Sequence, residues 1–344
     1  MKARRSPADE QRDRNAQRPE RGPLFPIEVP WNAVLVFIAI SFGLAWLIIL
    51  PLWQEGGLLA PEFLPLSRLM MFTPAVGVLV VVLFMGRPPS IPRRLGLSPG
   101  RPWRRTLGMF LLASSVFLML PVGAIFIGQA LGLVQLDLEN FSYAEEHYKV
   151  LYAELYAEGY EESLDAIPIA NFVAMQFIML PLIAVQAAVA AFGEELGFRG
   201  WLIPALRPLG VWPALLVSGG LWGLWYAPIV LLGYNYQRPD ALGLFSMVVW
   251  AMLVGILLGW TRLRTTSIWP AVFAHGSISA AMSTALLLTA AGQEPREIVW
   301  GTFLGWPGLL LMGALVAVLV VSGAWKKEPA PGLTLDETLE KRAS

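Results

Sequence analysis

WNAVLVFIAISFGLAWLIILPLW, residues 31–53, carries no charged side chain from end to end. A helix needs about 20 mostly apolar residues to cross ~30 Å of hydrocarbon, and this run has them. Seven further stretches repeat the pattern, at approximately 66–86, 106–133, 169–193, 212–233, 242–260, 268–290 and 299–322. Of the 344 residues, 56% are hydrophobic and 15% charged, and the mean hydropathy is +0.58, outside the usual range of soluble domains. The expected fold is all-α, a polytopic transmembrane bundle of about eight helices, with lipid as its solvent.

The segments between the spans set an expected orientation. The loop after the second span holds Arg87, Arg93, Arg94, Arg101, Arg104 and Arg105 with no acid, which the positive-inside rule places in the cytoplasm. The loop after the third span is the reverse. It carries Asp137, Glu139, Glu145, Glu146, Glu154, Glu158, Glu161, Glu162 and Asp165 against Lys149, an extracytoplasmic composition, with a short surface helix expected around residues 143–160. Alternation then puts Arg199, Arg207, Arg262, Arg264, Lys326, Lys327 and both termini on the cytoplasmic side. Residues 1–30, rich in Arg, Asp, Glu and Pro, cannot bury a core and are expected to be disordered. The run that follows is too long for a signal-peptide core and reads as a retained first span. The expected organisation is a cytoplasmic tail at 1–30, one membrane domain at 31–322 and a second cytoplasmic tail at 323–344, multi-pass in the cell membrane and surrounded by its lipids.

Basic and acidic residues balance at 25 each, so no net field argues for a nucleic-acid partner. The absence of cysteine removes disulfides, thiolate metal sites and a cysteine nucleophile together. Ionisable groups inside a membrane are costly and mark function, and here they are Glu194, Glu195, Arg199 and His275. Every aspartate lies in a tail or loop, which excludes a membrane-embedded aspartate pair. With only His147 and His275, an H-E-x-x-H zinc helix is excluded as well. His147, beside Glu145 and Glu146, reads as solvated. No G-x-S-x-G element supports a serine nucleophile.

On a helix, Glu195 and Arg199 are four apart and pair on one face. Glu194 then points about 100° away and is left to act as a base or ligand. The alternative is that both acids and the arginine form one buried ionic cluster that locks helix ends. Ser279 follows His275 on the same face, and a lone histidine there can equally be a packing residue. Trp222 and Tyr226 share a face of the fifth span, where an aromatic packing stripe before Pro228 is the plain reading. Gly219, Gly223, Gly255 and Gly259 at small-residue spacing read as helix packing.

Taken together, Glu194-Glu195-x-x-x-Arg199, Trp222-x-x-x-Tyr226 and His275-x-x-x-Ser279 resemble the motifs of the CPBP family, which holds CAAX proteases and bacteriocin-processing or self-immunity proteins. The family pattern runs E-E-x-x-x-R, F-x-x-x-H and H-x-x-x-N on successive membrane helices, and the resemblance covers approximately residues 170–290, with a peptidase-like core at about 169–290. It implies an intramembrane endopeptidase in which Glu194 and His275 activate water or hold a metal, zinc being one candidate and no metal the other. Arg199 would hold Glu195, and Tyr226 and Ser279 would serve as hydrogen-bond donors. A peptide or lipidated protein is the implied substrate, expected from the cytoplasmic leaflet because Glu194 lies near the basic helix ends. Two departures weigh against activity. Tyr226 stands where the family has histidine, and Ser279 where asparagine is common. A phenol is a poor base and a poor neutral ligand at pH 7, so metal binding is weakened most. The rival reading is a catalytically impaired relative that binds a peptide or partner as an immunity or maturation factor. A small transporter or channel would need a hydrophilic pathway that so few intramembrane polar residues cannot line.

Overall fold

The computed structural model describes residues 25–86, 90–100, 102–148 and 168–325. Most of the expected tails and most of the expected surface helix at 143–160 lie outside them, as does the side chain of His147. From that expected surface helix only the turn Ala144–Tyr148 falls within the described residues. Among the described residues the chain is a helical bundle without strands, and Leu136 and Thr289 form an isolated bridge.

Each expected span contains a helix. They are α1 (Trp31–Gln54), α2 (Phe63–Met70) followed by α3 (Thr73–Phe84), α4 (Trp103–Ala130), α5 (Ile169–Glu195), α6 (Val211–Trp225), α7 (Ala241–Thr265), α8 (Trp269–Leu286) and α9 (Trp306–Val321). Five helical stretches among the described residues are long and apolar enough to cross a membrane: Trp31–Gln54, Phe63–Phe84, Trp103–Ala130, Ile169–Leu209 and Ala241–Thr265. The other three expected spans come out differently. The stretch 212–233 breaks at Tyr226, two residues before Pro228, whose ring nitrogen has no proton to donate to the Leu224 carbonyl and so interrupts the ladder. α8 starts where expected but ends early, at Leu286, and α9 begins late, at Trp306; each has proline in its first turn, where the missing N–H costs nothing.

Outside, the helices present Leu35, Leu47, Leu79, Leu111, Ile178, Leu182, Val189, Phe245 and Leu310 as exposed side chains. Apolar patches of that extent are foreign to a water-facing monomer, and with the apolar helices they make this an integral membrane protein.

Inside, α8 packs mainly between α4 and α5, α6 lies along α7, and α1 lies along α3. The glycine spacings serve the α6–α7 crossing. A Cβ on Gly219 would stand 2.8 Å from Met252 Cα, and one on Gly255 would stand 3.1 Å from Gly219 Cα, so only glycine permits that approach.

The two ends of the bundle are built differently. At one end Arg262 Nη2 donates to the Arg94 carbonyl at 2.8 Å and its Nε to the Arg199 carbonyl at 3.3 Å. There too Trp269 Nε1 donates to the Leu97 carbonyl at 2.9 Å, and Arg207 lies over Phe25. At the other end the loops meet one another. Trp53 Nε1 donates to the Pro228 carbonyl at 2.8 Å, Tyr236 donates to the Leu304 carbonyl at 3.1 Å, and Gln135 N–H donates to Gln293 Oε1 at 2.7 Å. Asp137 closes its own turn by accepting from the backbone of Asn140 at 2.8 Å and of Glu139 at 3.2 Å. The Asn140 N–H first, then the Ser142 hydroxyl, with smaller help from the Ser142 and Glu139 N–H groups, hold the Asp137 carboxyl down at about 2.

Candidate active site

Glu194 and Glu195 end α5 and are 1% and 0% exposed. Beyond them the chain does not stop but widens into a π-helical segment, Leu196–Leu202, of the kind that clusters at functional positions. Gly197 lets this segment press against Pro74 of α3, where any Cβ would collide. The carboxylates are thereby held at the level of the α2–α3 break, well inside the bundle.

Glu195 takes an arginine and a histidine. Its Oε1 accepts from Arg199 Nη1 at 2.8 Å and lies 2.9 Å from His275 Nδ1. The i, i+4 pair expected from spacing is therefore present, and it survives the change of helical pitch. With Nδ1 committed as the donor to a carboxylate, the neutral imidazole keeps its lone pair on Nε2.

Glu194 takes neutral partners instead. Its Oε2 accepts from the Trp222 indole Nε1 at 2.6 Å and from the Tyr226 hydroxyl at 2.9 Å. Trp222 joins the two halves of the cluster. Arg199 Cζ sits 4.1 Å from its ring centroid, a cation–π distance, and the His275 ring packs edge-on at 5.3 Å. Four buried atoms of the cluster make no hydrogen bond within the protein: Glu194 Oε1, Glu195 Oε2, Arg199 Nε and Arg199 Nη2. Buried polar atoms are normally satisfied, so this is a cluster prepared for something further.

A chamber of about 430 Å³ ends on Tyr226, His275 and Ser279, within the range of ligand sites. Its walls include Trp250, Ile278, Met282 and Phe303, with Asn235 and Gln237 toward the loops. Glu194 is not on the wall, whereas Tyr226, which donates to it, is.

The structure thus brings Glu194, Glu195, Arg199, Tyr226 and His275 into one connected cluster, with two differences from the expectation. His275 contacts Glu195 rather than Glu194, so Glu195 has more than a structural tie to Arg199. Ser279, expected as a donor to the reacting atoms, spends its hydroxyl proton on the His275 carbonyl at 3.1 Å. Trp222 is the member that sequence reasoning missed. Its signal was the exchange of a ring without a donor for one with an N–H, at the first position of the second motif.

The donor set does not fit a metal ion. Among the described residues no three His, Cys, Asp or Glu side chains are grouped to hold one. Tyr226 offers Glu194 a proton where a ligand would offer a lone pair. No step below is routed through a metal.

No curated protein matches the sequence. Residues 176–281 match the family model described as type II CAAX prenyl endopeptidase, Rce1-like, a stretch that contains Glu194, Glu195, Arg199, Trp222, Tyr226, His275 and Ser279 together. The region that builds this cluster is therefore similar to the Rce1-like type II CAAX prenyl endopeptidases.

Proposed function

We propose that the protein is an intramembrane endopeptidase in which Glu194 and His275 activate a water molecule against a peptide carbonyl. One observation carries the reading: the chamber ends on Tyr226 and His275, the side chains that touch the two buried carboxylates. Glu194 accepts the proton at Oε1, the oxygen without a partner in the protein. Glu195 holds the imidazole by Nδ1, so that Nε2 is the nitrogen presented for catalysis. Arg199 balances Glu195 and, stacked on Trp222, fixes the indole that donates to Glu194. Tyr226 and Trp222 both donate to Oε2 and so orient the carboxylate. Because Glu194 stands behind Tyr226, water reaches it past the phenol. The substrate class is a peptide or lipidated protein, and the arginine-rich loop supports a cytoplasmic position for both termini of a cell-membrane protein.

The test is cleavage of a peptide library, lipidated and unlipidated, by purified protein. Glu194→Ala and His275→Ala should each lower the rate by roughly 10²–10⁴-fold, the usual worth of a positioned acid or base. Equal rates for wild type and Glu194→Ala would end the reading. One observation favours a second reading, a peptide-binding relative without activity: Tyr226 supplies a donor where the resemblance implies a histidine. Wild-type protein that binds peptides yet cleaves none would select it.

A further inference from the structure

We infer that Arg262, which stands outside the carboxylate cluster, is a positioning residue for the reaction: it gives the backbone of Arg199 the hydrogen-bond donor that its own helix cannot supply. The inference rests on the proposed peptidase activity for its rate readout and on the structure for the hydrogen bond.

The need for a donor follows from the wide turn and one proline. In the segment Leu196–Leu202 the N–H groups reach one residue further back than in an α-helix, and Ile203 N–H accordingly donates to the Phe198 carbonyl. The next donor in that register would come from residue 204 and be aimed at the Arg199 carbonyl. Residue 204 is proline, which has no N–H. The Arg199 carbonyl is thus left open where Phe198, Arg199 and Leu202 are all buried, and a buried carbonyl without a partner is costly. Arg262 Nε meets it at 3.3 Å. The neighbouring Phe198 carbonyl likewise draws a donor from another helix, Ser218 Oγ at 3.2 Å.

The guanidinium is built into its place. Arg262 lies in the last turn of α7, is 2% exposed, and donates from Nη2 to the Arg94 carbonyl at 2.8 Å. Gly96 leaves it room, since a Cβ there would stand 2.8 Å from Arg262 Cζ. Among the described residues no carboxylate pairs with Arg262, so the cation is held by main-chain oxygens. Burying a charge without a counter-charge is expensive, and a leucine would fill the same space. The two carbonyls explain why a cation stands there instead.

What Arg262 positions follows from the other end of Arg199. Arg199 Nη1 donates to Glu195 Oε1 at 2.8 Å, and its Cζ lies 4.1 Å from the ring centroid of Trp222, whose indole donates to Glu194. α7 guides that side chain as well, because a Cβ on Gly255 would stand 3.3 Å from Arg199 Nη2. A shift of the Arg199 backbone therefore moves a partner of each carboxylate. Arg262 does not line the chamber, and it acts through Arg199.

The test removes the guanidinium and returns a donor to the carbonyl by another route. Arg262→Leu should lower kcat for a peptide that the wild type cleaves by about 10- to 100-fold, with KM within about twofold, since a misplacement of about 1 Å costs that much. Pro204→Ala creates the missing N–H, and in the Arg262→Leu background it should recover kcat several-fold. Amide hydrogen exchange, followed by mass spectrometry on the full chain in detergent, should rise at residues 196–203 in Arg262→Leu and fall back in the double variant. Arg262→Lys, a point donor without the fork that spans two carbonyls, should lie between wild type and Arg262→Leu. Unchanged kcat and unchanged exchange in Arg262→Leu overturn the inference. A loss that Pro204→Ala leaves untouched also overturns it and makes Arg262 a packing residue. If Arg262→Leu does not fold, the same comparison is made with Arg262→Lys, alone and with Pro204→Ala. A wild type that cleaves no peptide ends the peptidase reading, and the exchange measurements then decide for or against the Arg262 hydrogen bond by themselves.

Discussion

Glu194 and Glu195 are adjacent in the chain, equally buried, and held by opposite kinds of chemistry. Glu195 sits between a guanidinium and an imidazole, while Glu194 sits between an indole N–H and a phenol. The difference separates tasks. An ion pair in a low-dielectric interior locks both partners, because removing either leaves an uncompensated charge. Neutral donors orient a carboxylate without cancelling its charge, which leaves it able to take a proton. On the proposed reading, one acid anchors the helix end and the other keeps its reactivity.

The strongest way to break this comparison is to remove the cation. Arg199→Leu should destabilise the protein by about 3 to 5 kcal/mol, since it strands Glu195 with His275 alone. Unfolding in detergent by heat or denaturant checks it. Glu194→Gln should cost clearly less, because Trp222 and Tyr226 can still donate to the amide oxygen. Equal losses for the two variants would mean that both carboxylates are structural.

A smaller effect sharpens the Glu194 side. Tyr226→Phe and Trp222→Phe each remove one hydrogen bond, worth about 1 to 2 kcal/mol in the transition state if Oε2 must be held. Since both donors share that oxygen, the double variant should depart from additivity. Tyr226→His combined with Trp222→Phe rebuilds the F-x-x-x-H pattern, and should raise cleavage or confer metal affinity, measured by turnover and by metal titration. Tyr226→His alone leaves the indole on the same oxygen and should gain less.

The smallest effect lies at the loop end. Donors from the Asn140 backbone and the Ser142 hydroxyl, with lesser ones from the Ser142 and Glu139 backbone, hold the Asp137 carboxyl at about 2, below its ordinary 3.8. A depressed carboxyl contributes stability that is complete above the unfolded value and fades as pH falls through the folded one. Protection of the 136–142 turn from hydrogen exchange should therefore hold above about 4 and decline toward 2. Asp137→Asn should show no such decline.

The bundle was legible because lipid leaves so little freedom: only uninterrupted apolar runs survive as spans, and all eight runs contain helices. The pairing of Glu195 with Arg199 was legible for a similar reason, since four residues on a helix can meet in few ways. The partners of Glu194 were not. Trp222 and Tyr226 share a face of α6 whether they pack on leucine or donate to a carboxylate, and only the crossing with the end of α5 decides.

The π-helical segment Leu196–Leu202 carries a consequence for how this region tolerates change over evolutionary time. A wide helical turn accommodates one residue more than the α-helix around it. Deleting a single residue there would let the hydrogen bonds revert to the tighter ladder without breaking the helix, and because the wide turn holds that one extra residue, the parts beyond it would keep their facing. The cost would fall inside the segment, on the contacts of Phe198 and Trp201 with Phe37 and of Gly197 with Pro74. A change of length by one residue between Glu195 and Ile203 is thus expected to be absorbed locally, at the expense of the carboxylate cluster rather than of the bundle.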